Sequence, residues 1–143
     1  MYGKGRDTVE DNVASSILLS RATKIANTNQ VTYYYRTDNP NSYSNEKYIK
    51  WKRIENMIWA NAKQHEVLKD SKSDTIKEAL ELAKLKIKDL YYPLVSPEDR
   101  AKLISLFPEA NSFVNKLSRK ERLCWWMMEH NNLIGYKLIK KFI

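Results

Sequence analysis

DTIKEALELAKLKIKDLYYP, residues 74–93, is the stretch that decides the fold. Ile76, Leu80, Ala83, Ile87 and Leu90 follow a four-three-four-three spacing, which places them along one seam of a helix. The preceding DSKSD, Asp70 to Asp74, offers several N-caps, and Pro93 ends the pattern because it cannot continue the hydrogen-bond ladder. Glu78 and Glu81 among Lys77, Lys84 and Lys88 read as a solvated face of charge pairs. A helix with one apolar seam needs neighbours of the same kind, and the flanking sequence supplies them.

Upstream, Asp7 with Glu10 has the form of a capping box, and Val9, Val13, Ile17, Ala22 and Ile25 recur at helical spacing. A long helix is predicted from about Asn45 to Lys69, with Trp51, Ile54, Ile58, Ala62, His65 and Leu68 on one stripe. Downstream, Ser96-Pro97-Glu98-Asp99 combines a cap, an N1 proline and early acids, and leads into Leu103, Ile104 and Phe107 before Pro108. Phe113, Val114 and Leu117 suggest a short helix, and Ser118 with Glu121 repeats the capping box. The run LCWWMMEH is apolar on every side, as in a core or interface helix. The ending LIGYKLIKKFI reads as amphipathic, with Leu138, Ile139 and Phe142 on one face and Lys137, Lys140 and Lys141 on the other.

Between the first two helices, Val31 to Arg36 has the β-branched and aromatic content of an extended segment, and Asp38-Asn39-Pro40-Asn41 is a turn. One extended segment makes no sheet. The expected fold class is all-α: a compact bundle of about five to six helices with one extended or irregular segment near residues 31–44. Residues 1–6 form a flexible basic arm, with two of the three glycines, and residues 7–143 a single helical domain.

Composition narrows the partners. The 143 residues are 43% hydrophobic and 29% charged, and 25 Lys and Arg against 17 Asp and Glu give a net charge of +8 and a pI near 9.5. Such a balance favours polyanions, whether nucleic acid or an acidic protein. Cys124 is the single cysteine, so no internal disulfide forms, and a reducing compartment is the simpler setting. No window approaches the roughly 18 apolar residues of a membrane span, and no apolar signal core opens the chain. An intracellular, cytoplasmic location or packaging within a virus particle is expected, with no membrane partner.

No catalytic set can be assembled from local spacing, and no enzyme activity, cofactor, metal or small-molecule substrate is expected. His65, Cys124 and His130 lack paired metal-ligand spacing, and Cys124 and His130 point in different directions along one helix. Gly3-Lys4-Gly5 lacks the spacing of a phosphate loop. Acids such as Glu98 and Asp99 sit where helix N-termini welcome them. A site drawn from distant residues such as Glu121, His130 and Tyr136 stays open.

Binding residues are easier to nominate. The phosphate-contact candidates are Lys4, Arg6, Arg36, Lys47, Lys50, Arg53, Lys137, Lys140 and Lys141, and Tyr33, Tyr35, Tyr43 and Tyr48 are candidates to stack on bases. Trp51 belongs to the Ile54 and Ile58 stripe and is expected to face inward, leaving Lys47, Lys50 and Arg53 in solvent. Arg119 to His130 and Leu133 to Phe142 also permit a helix-turn-helix reading, although Gly135 falls inside the second helix rather than in the turn. KGR at Lys4 to Arg6, followed by VASSIL at Val13 to Leu18, resembles the amino-terminal region of coat proteins from rod-shaped archaeal viruses, helical proteins that wrap DNA. The likeness spans about the first twenty residues and carries no functional residue across. The reading that follows is a non-enzymatic, basic helical protein binding DNA or RNA, with a structural or accessory place in a viral or mobile-element assembly. The alternative is a protein-interaction factor (an inhibitor, adaptor or self-associating assembly subunit) docking through the aromatic and Met-rich run Trp125 to Met128.

Overall fold

The computed structural model describes residues 10–27, 29–30 and 49–142. Among them the chain forms α-helices and one 3-10 helix and no strand, the all-α bundle that the periodicities predict. The helices are α1 (Glu10–Arg21), α2 (Trp51–Leu68), α3 (Asp74–Tyr91), α4 (Pro97–Ile104), the 3-10 helix Pro108–Lys116, α5 (Arg119–Glu129) and α6 (Leu133–Lys140). The basic arm, Asp7 and the extended segment near 31–44 lie outside the described residues.

Local chemistry sets the starts. The Ser73 hydroxyl accepts from the Ile76 N–H at 3.4 Å, and Ser96 accepts from Asp99 at 3.3 Å with Pro97 in the first turn. At α5 both halves of the capping box are made: Glu121 N–H donates to the Ser118 hydroxyl, and Ser118 N–H donates to the Glu121 carboxylate at 2.8 Å. Those hydrogen bonds hold the Glu121 carboxyl below the usual range. Two boundaries differ from expectation. α2 begins at Trp51 rather than near Asn45, because Ile49 donates its N–H to the Leu94 carbonyl at 3.0 Å and Lys50 stays extended. α1 ends at Arg21, so Ile25 lies beyond it and is exposed.

α3 is the hub, in contact with α2, α4, α5 and the 3-10 helix, while α6 pairs with α5 and α1 with α2. Ile54, Leu85, Tyr92, Val95, Leu103, Cys124, Trp125, Met128 and Tyr136 make up most of the core, with Trp51 half-buried at its edge under the Lys102 ammonium. The seam expected on α3 is only partly used. Ile87 is buried, but Ile76 and Leu90 are exposed, and the covered face runs through Leu85, Lys88 and Tyr92 instead. α4, α5 and the 3-10 helix contact α3 as well as α2, and Leu80 and Ala83 in the middle of the seam are half-buried.

The main correction concerns Lys84 and Lys88, which do not lie on a solvated face. Lys84 is held between the Glu81 and Glu109 carboxylates at 2.9 Å. Burial works against its charge, but the hydrogen bonds to Glu109 and Glu81 outweigh it and raise its pKa. Lys88 is 0% exposed. Its ammonium donates to the Ile104 carbonyl at 3.0 Å and Asn111 Oδ1 at 3.3 Å, and sits 5.0 Å from the centre of the Trp125 ring. Ile104 closes α4, where carbonyls lack helical partners and the dipole favours a cation. Burial lowers the Lys88 pKa to about 8, against the opposing pull of Glu109 and Glu129.

Candidate polyanion interface

The junction of α3 and α6 gathers more of the nominated residues than any other described place. Tyr136 is buried, and its hydroxyl donates to the Asp89 carbonyl at 2.6 Å with Asp89 Oδ1 at 2.9 Å. Burial pushes that hydroxyl's pKa up, and the Asp89 charge pushes it further. The ring meets Tyr92 edge-on at 5.0 Å, and Lys140 reaches Asp89 Oδ2 at 2.6 Å. These contacts pin α6 to α3. Beside them an open groove runs between the two helices, lined by Lys86, Asp89, Leu90, Pro93, Glu121, Tyr136, Lys137, Lys140 and Lys141.

The cations of this groove do different jobs. Lys140 is committed to Asp89, so much of its charge is neutralised locally. Lys86, Lys137 and Lys141 are exposed and form no ion pair with a described residue. Lys137 and Lys141 are one helical turn apart on the same side of α6. Of the two acids at the rim, Asp89 is taken by Lys140 and Tyr136, and Glu121 by its capping box. Four lysines against two carboxylates leave the groove net positive.

The other nominated residues are dispersed. Lys50 is exposed on the extended residue before α2. Arg53 does not stand free in solvent: it is half-buried and hydrogen-bonds Tyr91, whose hydroxyl is raised by burial and lowered by that guanidinium. Lys4, Arg6, Arg36 and Lys47, and the stacking candidates Tyr33, Tyr35, Tyr43 and Tyr48, lie outside the described residues. Lys86 was missed by sequence reasoning. It carries no periodic mark of its own, and only the docking of α6 on Asp89 gives it cationic neighbours.

The α5–α6 hairpin corrects two further expectations. The C-terminal amphipathic face is covered only in part: Tyr136 is buried and Ile139 packs against the core, whereas Leu138 and Phe142 are exposed. The apolar run on α5 divides, with Cys124, Trp125 and Met128 in the core and Trp126 half out of it. It therefore does not form one Met-rich docking surface. Asn131 takes a positive φ of 50° in the turn, a conformation Asn tolerates, and its side chain accepts from Tyr92 at 3.2 Å. Gly135 belongs to the packing rather than the turn, since a Cβ there would meet Met127 Sδ at 2.7 Å.

Groups with reactive potential face separate surroundings. Cys124 is buried, which pushes its thiol up, while His130 is exposed with Nδ1 at 2.8 Å from the Trp126 carbonyl. Glu121 and Tyr136 share the α3–α6 groove, but His130 does not line it. His65 Nε2 lies 3.7 Å from Glu81, itself held by Lys84. Among the described residues no group of His, Cys, Asp and Glu could hold a metal ion, and no helix is long and apolar enough to cross a membrane. Comparison with protein-family models, curated proteins and solved structures gave no match.

Proposed function

We propose that the protein is a non-enzymatic, basic helical protein that binds nucleic acid through its phosphates, with the α3–α6 groove as the contact surface and a structural or accessory role. The observation that carries this reading is the trio Lys86, Lys137 and Lys141, exposed around one groove and without ion pairs to described residues. Ammonium groups in that state release counterions from a phosphate backbone on contact, which gives affinity with little sequence preference. Lys140 supports the surface indirectly, by holding α6 against Asp89. The +8 net charge of the chain adds long-range attraction for the same partner.

Titration of labelled single-stranded and duplex oligonucleotides across a salt series tests the reading. Affinity is expected to fall steeply with salt, and Lys137→Ala with Lys141→Ala is expected to reduce the log–log slope by about 2 without changing the circular dichroism. Absence of binding at low salt would sink the nucleic-acid reading. Binding with an unaltered slope in the double variant would move the interface away from this groove.

A further inference from the structure

The outer face of the α5–α6 hairpin presents apolar side chains to solvent on both helices. Leu123 and Trp126 on α5 are 46% and 49% exposed, Ile134 and Leu138 on α6 are 77% and 54% exposed, and Phe142 just past α6 is 76% exposed. Spacings of three and four residues keep each set on one side of its helix. Two contacts bring the sets alongside one another. The Lys120 ammonium donates to the Phe142 carbonyl at 2.7 Å, joining the start of α5 to the end of α6, and Gly135 seats α6 closely on Met127. Single exposed apolar residues are ordinary, but a contiguous set on paired helices marks an interaction surface.

Cations border this set. Arg119 and Arg122 lie within a turn of Leu123 and Trp126, and Lys137 and Lys141 alternate with Ile134 and Leu138; all four are exposed. Glu129 is the one exposed carboxylate residue on these two helices, since Glu121 is partly buried in its capping box. None of the face's five apolar side chains lines the grooves on α3, between α1, α2 and α3, between α3 and α6, or between α2 and α3, and only Lys137 and Lys141 are shared with the α3–α6 groove.

We propose that this face is a peripheral membrane-binding surface for anionic phospholipid. Ile134, Leu138 and Phe142 enter the boundary between headgroups and acyl chains, Trp126 lies at headgroup level, and the surrounding Arg and Lys reach lipid phosphates and carboxylates. Such binding needs no spanning helix, so it does not conflict with the absence of one among the described residues. A second copy docked face to face would oppose like charges. A nucleic acid would engage the cations but leave the apolar side chains in water.

Co-sedimentation of the full chain with large unilamellar vesicles tests the proposal, using phosphatidylcholine alone or mixed with phosphatidylserine. Binding is expected to the mixed vesicles and to fall at least about tenfold in Ile134→Ser with Leu138→Ser, which removes two inserting side chains. That variant should keep its circular dichroism and its oligonucleotide affinity, so this proposal and the nucleic-acid reading fail separately. Lys137→Ala with Lys141→Ala should weaken vesicle binding about tenfold and remove much of its dependence on phosphatidylserine. No binding to the mixed vesicles overturns the proposal. So does binding unaltered by the serine pair, which would be charge adsorption alone, or self-association in solution that the serine pair abolishes.

Discussion

Between about pH 8 and 10 the protein is expected to gain stability relative to its Lys88→Met variant as pH rises. Lys88 has a folded pKa of about 8, below the ordinary lysine value of 10.5. In the window between those values the unfolded chain holds a proton that the folded chain has released, so unfolding takes up a proton and becomes harder as pH increases. The depressed pKa corresponds to about 3 kcal/mol across the full window, at roughly 1.4 kcal/mol per pH unit. The wild-type curve itself bends over above about pH 9, because burial raises Cys124 and then Tyr91, Tyr92 and Tyr136, and the unfolded chain ionises those groups first. Urea midpoints at constant m-value provide the measurement. Lys88→Met leaves the Ile104 carbonyl and Asn111 without their donor while removing a buried charge, so its stability near neutrality reflects opposed effects and the pH slope is the cleaner readout. A wild-type slope between about pH 8 and 10 no steeper than that of Lys88→Met would show that Lys88 is hydrated.

Adjacent tryptophans should give opposite results. Trp125→Ala is expected to cost about 3 to 5 kcal/mol, because the indole is enclosed by the core and faces the Lys88 ammonium, so its removal leaves both a cavity and a less compensated cation. Trp126→Ala is expected to cost less than about 1 kcal/mol, since its ring is half exposed and stacks at 4.3 Å on the exposed His130. Thermal and urea unfolding of the two variants side by side make the comparison. Equal losses would mean that the α5 run is packed on both sides in solution.

The helix starts were legible because they depend on neighbours in sequence. Ser96 with Pro97, and Ser118 with Glu121, hold their own backbone donors whatever the rest of the chain does. Burial was less legible, because it depends on what arrives from elsewhere. Periodicity found an apolar seam on α3 but could not tell that α4, α5 and the 3-10 helix would close over Lys88 instead of Leu90. A lysine counts as polar in any pattern, and only the carbonyl of Ile104 and the amide of Asn111 make its burial workable. The same limit applies to the candidate interface. Lys137 and Lys141 stood out as a cationic stripe, but the commitment of Lys140 to Asp89 and of Arg53 to Tyr91 required tertiary partners to be seen.

The unequal sharing of contacts among the helices has a consequence for how the protein opens. Among the described residues α1 is held chiefly by α2, through a small cluster of Val13, Ile17, Ala60, Met57 and Trp59 and the Gln64 bonds to Asn12 and Ser16. α3 is gripped by several elements at once. Amide protons of α1 therefore exchange with solvent through a shallow local opening, while those in the middle of α3 wait for cooperative loss of the main core. Each such opening releases part of the α1-facing surface of α2, so Met57 and Ala60 become transiently available for other contacts long before the α3–α6 groove is disturbed.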